Sequence, residues 1–63
     1  MRTIRVLIAD DHTIVREGIR HVLDQEPGIE VAAEAEDGRE AIRLATAMPL
    51  DVIFMDISMP GLN

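Results

Sequence analysis

Three aspartates stand at positions where an apolar run of the sequence ends. Asp10 and Asp11 directly follow the apolar residues 6–9, and Asp56 follows the apolar residues 52–55. Like charges held close together raise the pKa of at least one carboxyl group unless a cation lies among them. Carboxylate oxygens are the preferred ligands of small hard cations. The pattern therefore favours an acidic cation site, with Mg²⁺ as the first candidate.

A second interpretation of the acid pair is purely structural. A single aspartate after a strand commonly caps a helix or a turn. Asp10 or Asp11 is a candidate cap for a helix that starts near Thr13. Such a cap uses one carboxylate, however, and leaves the second acid and Asp56 without an explanation. Both interpretations stay open on these residues alone.

The apolar periodicity around the acids predicts an alternation of strands and helices. The predicted strands are residues 4–9, 29–36 and 52–55, and the predicted helices lie between residues 14 and 26 and between residues 37 and 48. Residues 29–36 alternate apolar and mostly acidic side chains, which is typical of a strand with one solvated face. Pro27 and Gly28 end the first helix, whereas Asp37 and Glu40 have the spacing of a capping box that opens the second.

Each predicted helix has an apolar stripe and a polar face. The first stripe comprises Ile14, Val15, Gly18, Ile19, Val22 and Leu23, and the second comprises Ala41, Ile42, Ala45 and Met48. The arginines outside these stripes, namely Arg16, Arg20, Arg39 and Arg43, are expected on solvated helix faces.

The order β-α-β-α-β predicts an α/β fold with a parallel sheet and right-handed crossovers. Ligands of such sheets bind at the carboxyl ends of the strands, where the strand order reverses. If the first strand lies between the other two, Asp10, Asp11 and Asp56 converge on one crevice.

Composition excludes several other classes of protein. The chain has 63 residues and a formal net charge of −6, with no cysteine. All six of its basic residues are arginines. The charge argues against direct contact with nucleic acid by this segment, and no apolar run approaches the ~20 residues that span a membrane. The absence of cysteine fits a cytoplasmic protein without a disulfide framework or a thiolate metal site.

Three stretches, VLIADDHTIVREGIR, EAEDGREAI and DVIFMDISMPGLN, resemble the receiver domain of two-component response regulators. The motif DDH followed by VREG resembles the sequences of the LuxR-type subclass, whose output is a helix-turn-helix DNA-binding domain. The resemblance implies a flavodoxin-like, doubly wound fold. It also implies that residues 1–63 are the N-terminal portion of a receiver domain, truncated after the third of five strands.

Residue by residue, the resemblance makes Asp56 the phosphoacceptor, with a sensor histidine kinase as phosphodonor. It implies that Asp11, Asp56 and the backbone carbonyl of Ser58 bind Mg²⁺ directly and that Asp10 acts through a water. Pro60 and Gly61 match the turn that follows. The resemblance gives His12 no role, and we expect a surface or capping residue. The implied protein is a regulator and not an enzyme.

Alternatives from other classes remain. A half-domain that is not phosphorylated would act as a structural module, self-assembling through the edge of the third strand. A cation-dependent phosphatase is disfavoured because Ser58 stands where a second aspartate is usual, two residues after Asp56. A dinucleotide-binding domain is disfavoured because no glycine-rich motif follows the first strand.

Overall fold

The computed structural model describes residues 2–56. The elements in this range are β1 (Ile4–Ala9), α1 (Thr13–Asp24), β2 (Ile29–Ala35), α2 (Gly38–Ala47) and β3 (Val52–Met55). The strands form one parallel sheet in the order β2-β1-β3. The predicted parallel α/β arrangement is confirmed, and β1 lies in the centre, which is the condition for the acids to converge. None of the helices described is long and apolar enough to cross a membrane.

The core lies on both faces of the central strand. Leu7 and Ile8 are fully buried on successive positions of β1, and Leu7 belongs to a cluster with Ala9, Ala35 and Ala41. Burying one such leucine or isoleucine contributes about 1.5–3 kcal/mol. The alanines allow α2 to approach the sheet closely, so β1 is held firmly where its last residues lead into the acid pair.

β2 is less solvated than its alternating sequence predicts. Glu30 is exposed, but Glu34 is half-buried beside α1, where Arg16 and Arg20 pair with its carboxylate. The register also shifts, because β2 advances two residues while β1 advances from Val6 to Leu7. The predicted solvated face is therefore open to solvent at Glu30 and only partly so at Glu34.

The apolar stripe of α1 is wider than the face that the sheet covers. Ile14, Val15 and Val22 are 83%, 45% and 63% exposed. α1 packs on β1 and β2, and an open apolar cleft of about 260 Å³ lies between α1 and Phe54 of β3. The predicted stripe is thus only partly buried.

The buried face of α2 also differs by one residue from the prediction. Ile42 is 61% exposed, whereas Leu44 packs against the core cluster. Leu44 lies almost one turn after the buried Ala41, so the two side chains share a face. Ile42 points away from that face and is wrongly placed in the predicted stripe.

The starts of the two helices are built differently. The carboxylate of Asp37 accepts the Glu40 N–H at 2.8 Å and caps α2 as predicted. The N-cap position of α1 is His12, whose side chain makes no capping hydrogen bond. Neither Asp10 nor Asp11 is the N-cap of α1, but Asp10 does have a structural role in the turn before the helix, because its Oδ1 accepts the His12 N–H at 2.8 Å. Before β2, Gly28 takes a φ of 90°, which favours glycine in this turn.

Asp51, just before β3, forms hydrogen bonds that join the start of this strand to β1. Its N–H donates to the Arg5 carbonyl at 2.8 Å, and its carboxylate accepts the Arg5 N–H at 2.9 Å and pairs with Arg2. The backbone hydrogen bond from Arg5, with help from the charge of Arg2, lowers the pKa of Asp51 despite some desolvation. A lowered pKa means that the ionised carboxylate stabilises the fold above the unfolded-state pKa, and that this contribution is lost as the pH falls through the folded-state value.

Asp51→Asn is therefore expected to lower the Tm by a few degrees at neutral pH, and the deficit should shrink below about pH 4. Thermal unfolding followed by circular dichroism at neutral and acidic pH measures both effects. Glu30→Gln is the control, because it removes another ion pair of Arg5, at 3.0 Å, and leaves the backbone contacts intact. A Tm for Asp51→Asn equal to that of the parent chain at neutral pH would contradict the assignment.

Candidate metal centre

The parallel pairing brings the acids of two strands to the same edge of the sheet. Ala9, the last residue of β1, is opposite both Ala35 and Met55. One residue further along, the Asp10 N–H donates to the Ala35 carbonyl and the Asp56 N–H donates to the Ala9 carbonyl, each at 3.0 Å. Asp10 and Asp56 therefore leave neighbouring strands at the same level.

The carboxylates of Asp10, Asp11 and Asp56 lie close together at this edge. Each offers one oxygen, and these oxygens and a ring nitrogen of His12 all lie within 4.8 Å of one another. Oxygen ligands at such separations fit a small hard cation such as Mg²⁺. The convergence inferred from the sequence is present in the structure.

The three carboxylates differ in how accessible they are. Asp10 is 7% exposed, and its Oδ1 accepts the His12 N–H at 2.8 Å. The side chains of Asp11 and Asp56 are 34% and 24% exposed. Asp11 and Asp56 are therefore the two carboxylates of the site that an ion from solvent reaches most easily.

The imidazole of His12 lies among the acids, although its side chain is 63% exposed. Its Nδ1 is 2.9 Å from Oδ1 of Asp10 and of Asp11, and 3.9 Å from Oδ2 of Asp56. The hydrogen bond to Asp10 and then the charge of Asp11 raise the pKa of His12 above its usual range, against a smaller effect of desolvation. The acids thus create a potential that favours positive charge at this point.

Arg16 is the residue near this group that sequence reasoning misplaced. It is 8% exposed, and its Nη1 donates to the Asp10 carbonyl at 2.7 Å. A helix-face pattern treats every arginine as solvated, so the prediction for Arg16 is wrong. The available signal was its spacing, since Arg16 lies one and two turns before Ile19 and Leu23, which are half-buried.

The remaining predicted site residues lie outside the described part of the chain. Ser58, Pro60 and Gly61 follow residue 56, where the description ends. The proposed carbonyl ligand of Ser58 therefore stays a prediction.

Comparison with known proteins identifies the protein family to which this chain is similar. Residues 6–63 match the family described as the response regulator receiver domain. The chain is 48% identical over 59 residues to the nitrate/nitrite response regulator protein NarP of Escherichia coli K12, covering 94% of this chain and 27% of that protein. It is 50% identical over 60 residues to the transcriptional regulatory protein LiaR of Bacillus subtilis 168, covering 95% of this chain and 28% of that protein.

A solved structure shares the same architecture. The isolated receiver domain of RcsB from Salmonella enterica serovar Typhimurium, in the presence of the phosphomimetic BeF₃⁻, superposes with a TM-score of 0.90 at 40% identity. The match covers 95% of this chain and 44% of that one. The likeness confirms half of a flavodoxin-like fold. The chain spans little more than a quarter of the curated relatives described above.

Proposed function

The chain belongs to the response regulator receiver domain family, and from that premise we propose that Asp56 accepts a phosphoryl group with the help of Mg²⁺. The observation that carries the proposal is the convergence of Asp10, Asp11 and Asp56, whose ligand atoms lie within 4.8 Å of one another. Phosphorylation by a sensor histidine kinase in the cytoplasm would then control a DNA-binding output domain of the LuxR type.

The proposed chemistry is a nucleophilic displacement at phosphorus. A carboxylate oxygen of Asp56 attacks the phosphoryl group, the bond to the donor breaks, and an aspartyl phosphate forms. Asp11 and Asp56 are the residues that would hold Mg²⁺ directly, with the Ser58 carbonyl as a third ligand and Asp10 acting through water. The ion, when bound, supplies positive charge for the phosphoryl oxygens. The role is that of an acceptor and not of an enzyme that turns over a substrate.

Partial exposure of Asp56 supports this assignment of roles. Its side chain is 24% exposed, so that a small acyl phosphate or a phosphohistidine can approach it. Asp10 is buried and already accepts the His12 N–H, which suits a carboxylate that acts through a water.

Incubation with acetyl phosphate and Mg²⁺ tests the proposal directly. Intact-mass spectrometry is expected to show the gain of one phosphoryl group, which hydroxylamine removes because an aspartyl phosphate is a mixed anhydride. Omission of Mg²⁺ should suppress the gain. A hydroxylamine-stable adduct, or no adduct under any condition, would contradict phosphorylation of a carboxylate.

Asp11→Asn and Asp56→Asn are each expected to weaken Mg²⁺ binding. Even outer partners of metal ligands change metal affinity by about 10–100-fold, so removal of a direct ligand should cost at least as much. Titration calorimetry measures the affinity. Asp24→Asn, in the last turn of α1, makes the same change of charge away from the acids and should leave the affinity unchanged. An unaltered affinity in both site variants would exclude the proposed metal centre.

A second candidate function, self-assembly, rests on the outer edge of β3. Within residues 2–56 this strand pairs only with β1, and its side chains Val52, Ile53, Phe54 and Met55 are 38–48% exposed. An apolar edge strand without Lys or Pro is a template for pairing with another strand. We infer that two copies of the chain associate through β3, which would place two Asp56 sites close to one interface.

A further inference from the structure

Arg16 joins the acid pair to the neighbouring strand through a buried guanidinium. Its Nη1 donates to the Asp10 carbonyl at 2.7 Å, and its Nε donates to Oε1 of Glu34 at 3.3 Å. Its Nη2 lies 3.7 Å from Oε1 of Glu36, and its side chain is only 10% exposed. A guanidinium this buried is costly unless carboxylates and hydrogen bonds compensate it. Here the carboxylates come from Glu34 of β2 and from Glu36 just after that strand, and the carbonyl comes from Asp10, just after β1.

The geometry of the guanidinium makes this contact directional. The donors of arginine form a rigid planar fork, so anchoring Nε on Glu34 also aims Nη1 at the Asp10 carbonyl. That carbonyl belongs to the peptide group between Asp10 and Asp11, which is planar and rigid. Fixing this peptide therefore fixes the positions of the two Cα atoms from which the aspartate side chains leave the backbone, and it limits the directions that these side chains can take.

We propose that Arg16 is a positioning residue of the cation site, which holds the Asp10–Asp11 peptide in the orientation that directs both carboxylates toward Asp56. This inference rests on the proposed function, because it concerns the same metal centre. Arg16 does not contact the ion or the phosphoryl group; it acts through the backbone of Asp10.

Arg20 provides a matched control within the same helix. It lies one turn after Arg16 on α1 and pairs with the same carboxylate, that of Glu34, and with Asp24. Within residues 2–56 its guanidinium contacts Glu34 and Asp24 and not the Asp10 carbonyl. A purely structural link between α1 and β2 is weakened by loss of either arginine, whereas positioning of the acid pair depends on Arg16 alone.

Titration calorimetry with Mg²⁺ on the parent chain and on Arg16→Met, Arg16→Lys and Arg20→Met tests the proposal. Arg16→Met is expected to bind Mg²⁺ about 10–100-fold more weakly, the usual range for a partner behind a metal ligand. Arg16→Lys should recover only part of the affinity, because its ammonium keeps the charge and one donor that reaches the carbonyl but lacks the planar fork that contacts Glu34 at the same time. Arg20→Met should bind like the parent chain. Equal affinities of Arg16→Met and Arg20→Met would overturn the proposal.

A measurement without metal separates this inference from the proposed function. The His12 N–H, which donates to Oδ1 of Asp10 at 2.8 Å, reports on the turn through its hydrogen-exchange rate by NMR. Exchange should accelerate in Arg16→Met and stay unchanged in Arg20→Met. Absence of Mg²⁺ binding in the parent chain would contradict the proposed function. The exchange rates of the His12 N–H in the two variants would then still test whether Arg16 orients the Asp10–Asp11 turn. If Arg16→Met does not fold, Arg16→Lys carries both comparisons, and parent-like affinity and exchange would overturn the proposal.

Discussion

Replacing Asp56 by asparagine is expected to abolish phosphoryl transfer to the chain. An amide is nearly isosteric with the carboxylate but has no anionic oxygen to attack phosphorus. It also removes one of the carboxylates that would hold Mg²⁺. With acetyl phosphate and Mg²⁺, the intact mass of Asp56→Asn should stay unchanged for as long as the parent chain continues to gain a phosphoryl group.

Two further variants separate the acceptor from its neighbours. Asp11→Asn keeps the nucleophile, so it should be phosphorylated more slowly but finally show the same gain in mass as the parent chain. Asp37→Asn changes an aspartate that also follows a strand, at the end of β2, where its side chain caps α2; asparagine caps helices equally well. This variant should behave like the parent chain. A phosphoryl adduct on Asp56→Asn would show that another residue is the acceptor.

The sequence predicts the elements of this fold well because local signals agree with the tertiary arrangement. β1 and β3 begin and end at the predicted residues, since each apolar run is bounded by charged or turn-forming residues. The Asp37 cap is a local interaction between residues close in sequence and is therefore visible in the pattern. The order of the elements does not decide which strand is central; the resemblance to a flavodoxin-like fold implies it, and the observed order β2-β1-β3 explains why the acids meet.

The errors concern side chains whose surroundings depend on distant partners. Ile14 and Ile42 belong to amphipathic patterns but remain exposed, because periodicity indicates which side of a helix is apolar and not how far the sheet extends beneath it. Arg16 of α1 can be buried because Glu34 of β2, far away in the sequence, pairs with it. The irregular register between β1 and β2 contributes to the position of Glu34 relative to α1. The periodicity of a single segment does not predict such a shift in register.

The same distinction applies to the candidate metal centre. The aspartates are predictable, because a strand end is a local feature and parallel strands end at a common edge. Their mutual orientation is not, because it depends on the buried guanidinium of Arg16 and on the hydrogen bond between Asp10 and the His12 N–H. Residue types thus indicate the chemistry, whereas contacts over long sequence separations determine the geometry.

Ile53→Lys is expected to convert a dimer of this chain into a monomer. Ile53 is 42% exposed in the middle of β3, where a second copy is proposed to add its own strand. A lysine there must lose hydration or distort the strand pairing, and lysine is a common means of protecting sheet edges. We expect dimerisation to weaken at least tenfold, which corresponds to about 1.4 kcal/mol. Sedimentation equilibrium over a range of micromolar concentrations measures this change.

The matched control for that experiment is Ile42→Lys. Ile42 is another exposed apolar residue, at 61%, but it lies on α2, which contacts β1 and β2 and not β3 within residues 2–56. Both variants make the net charge of −6 less negative by the same amount, so general repulsion between copies falls equally. Any difference between them therefore reports on the β3 edge. A parent chain that is folded by circular dichroism and strictly monomeric at high micromolar concentration would contradict association through β3, as would equal dissociation of the two variants.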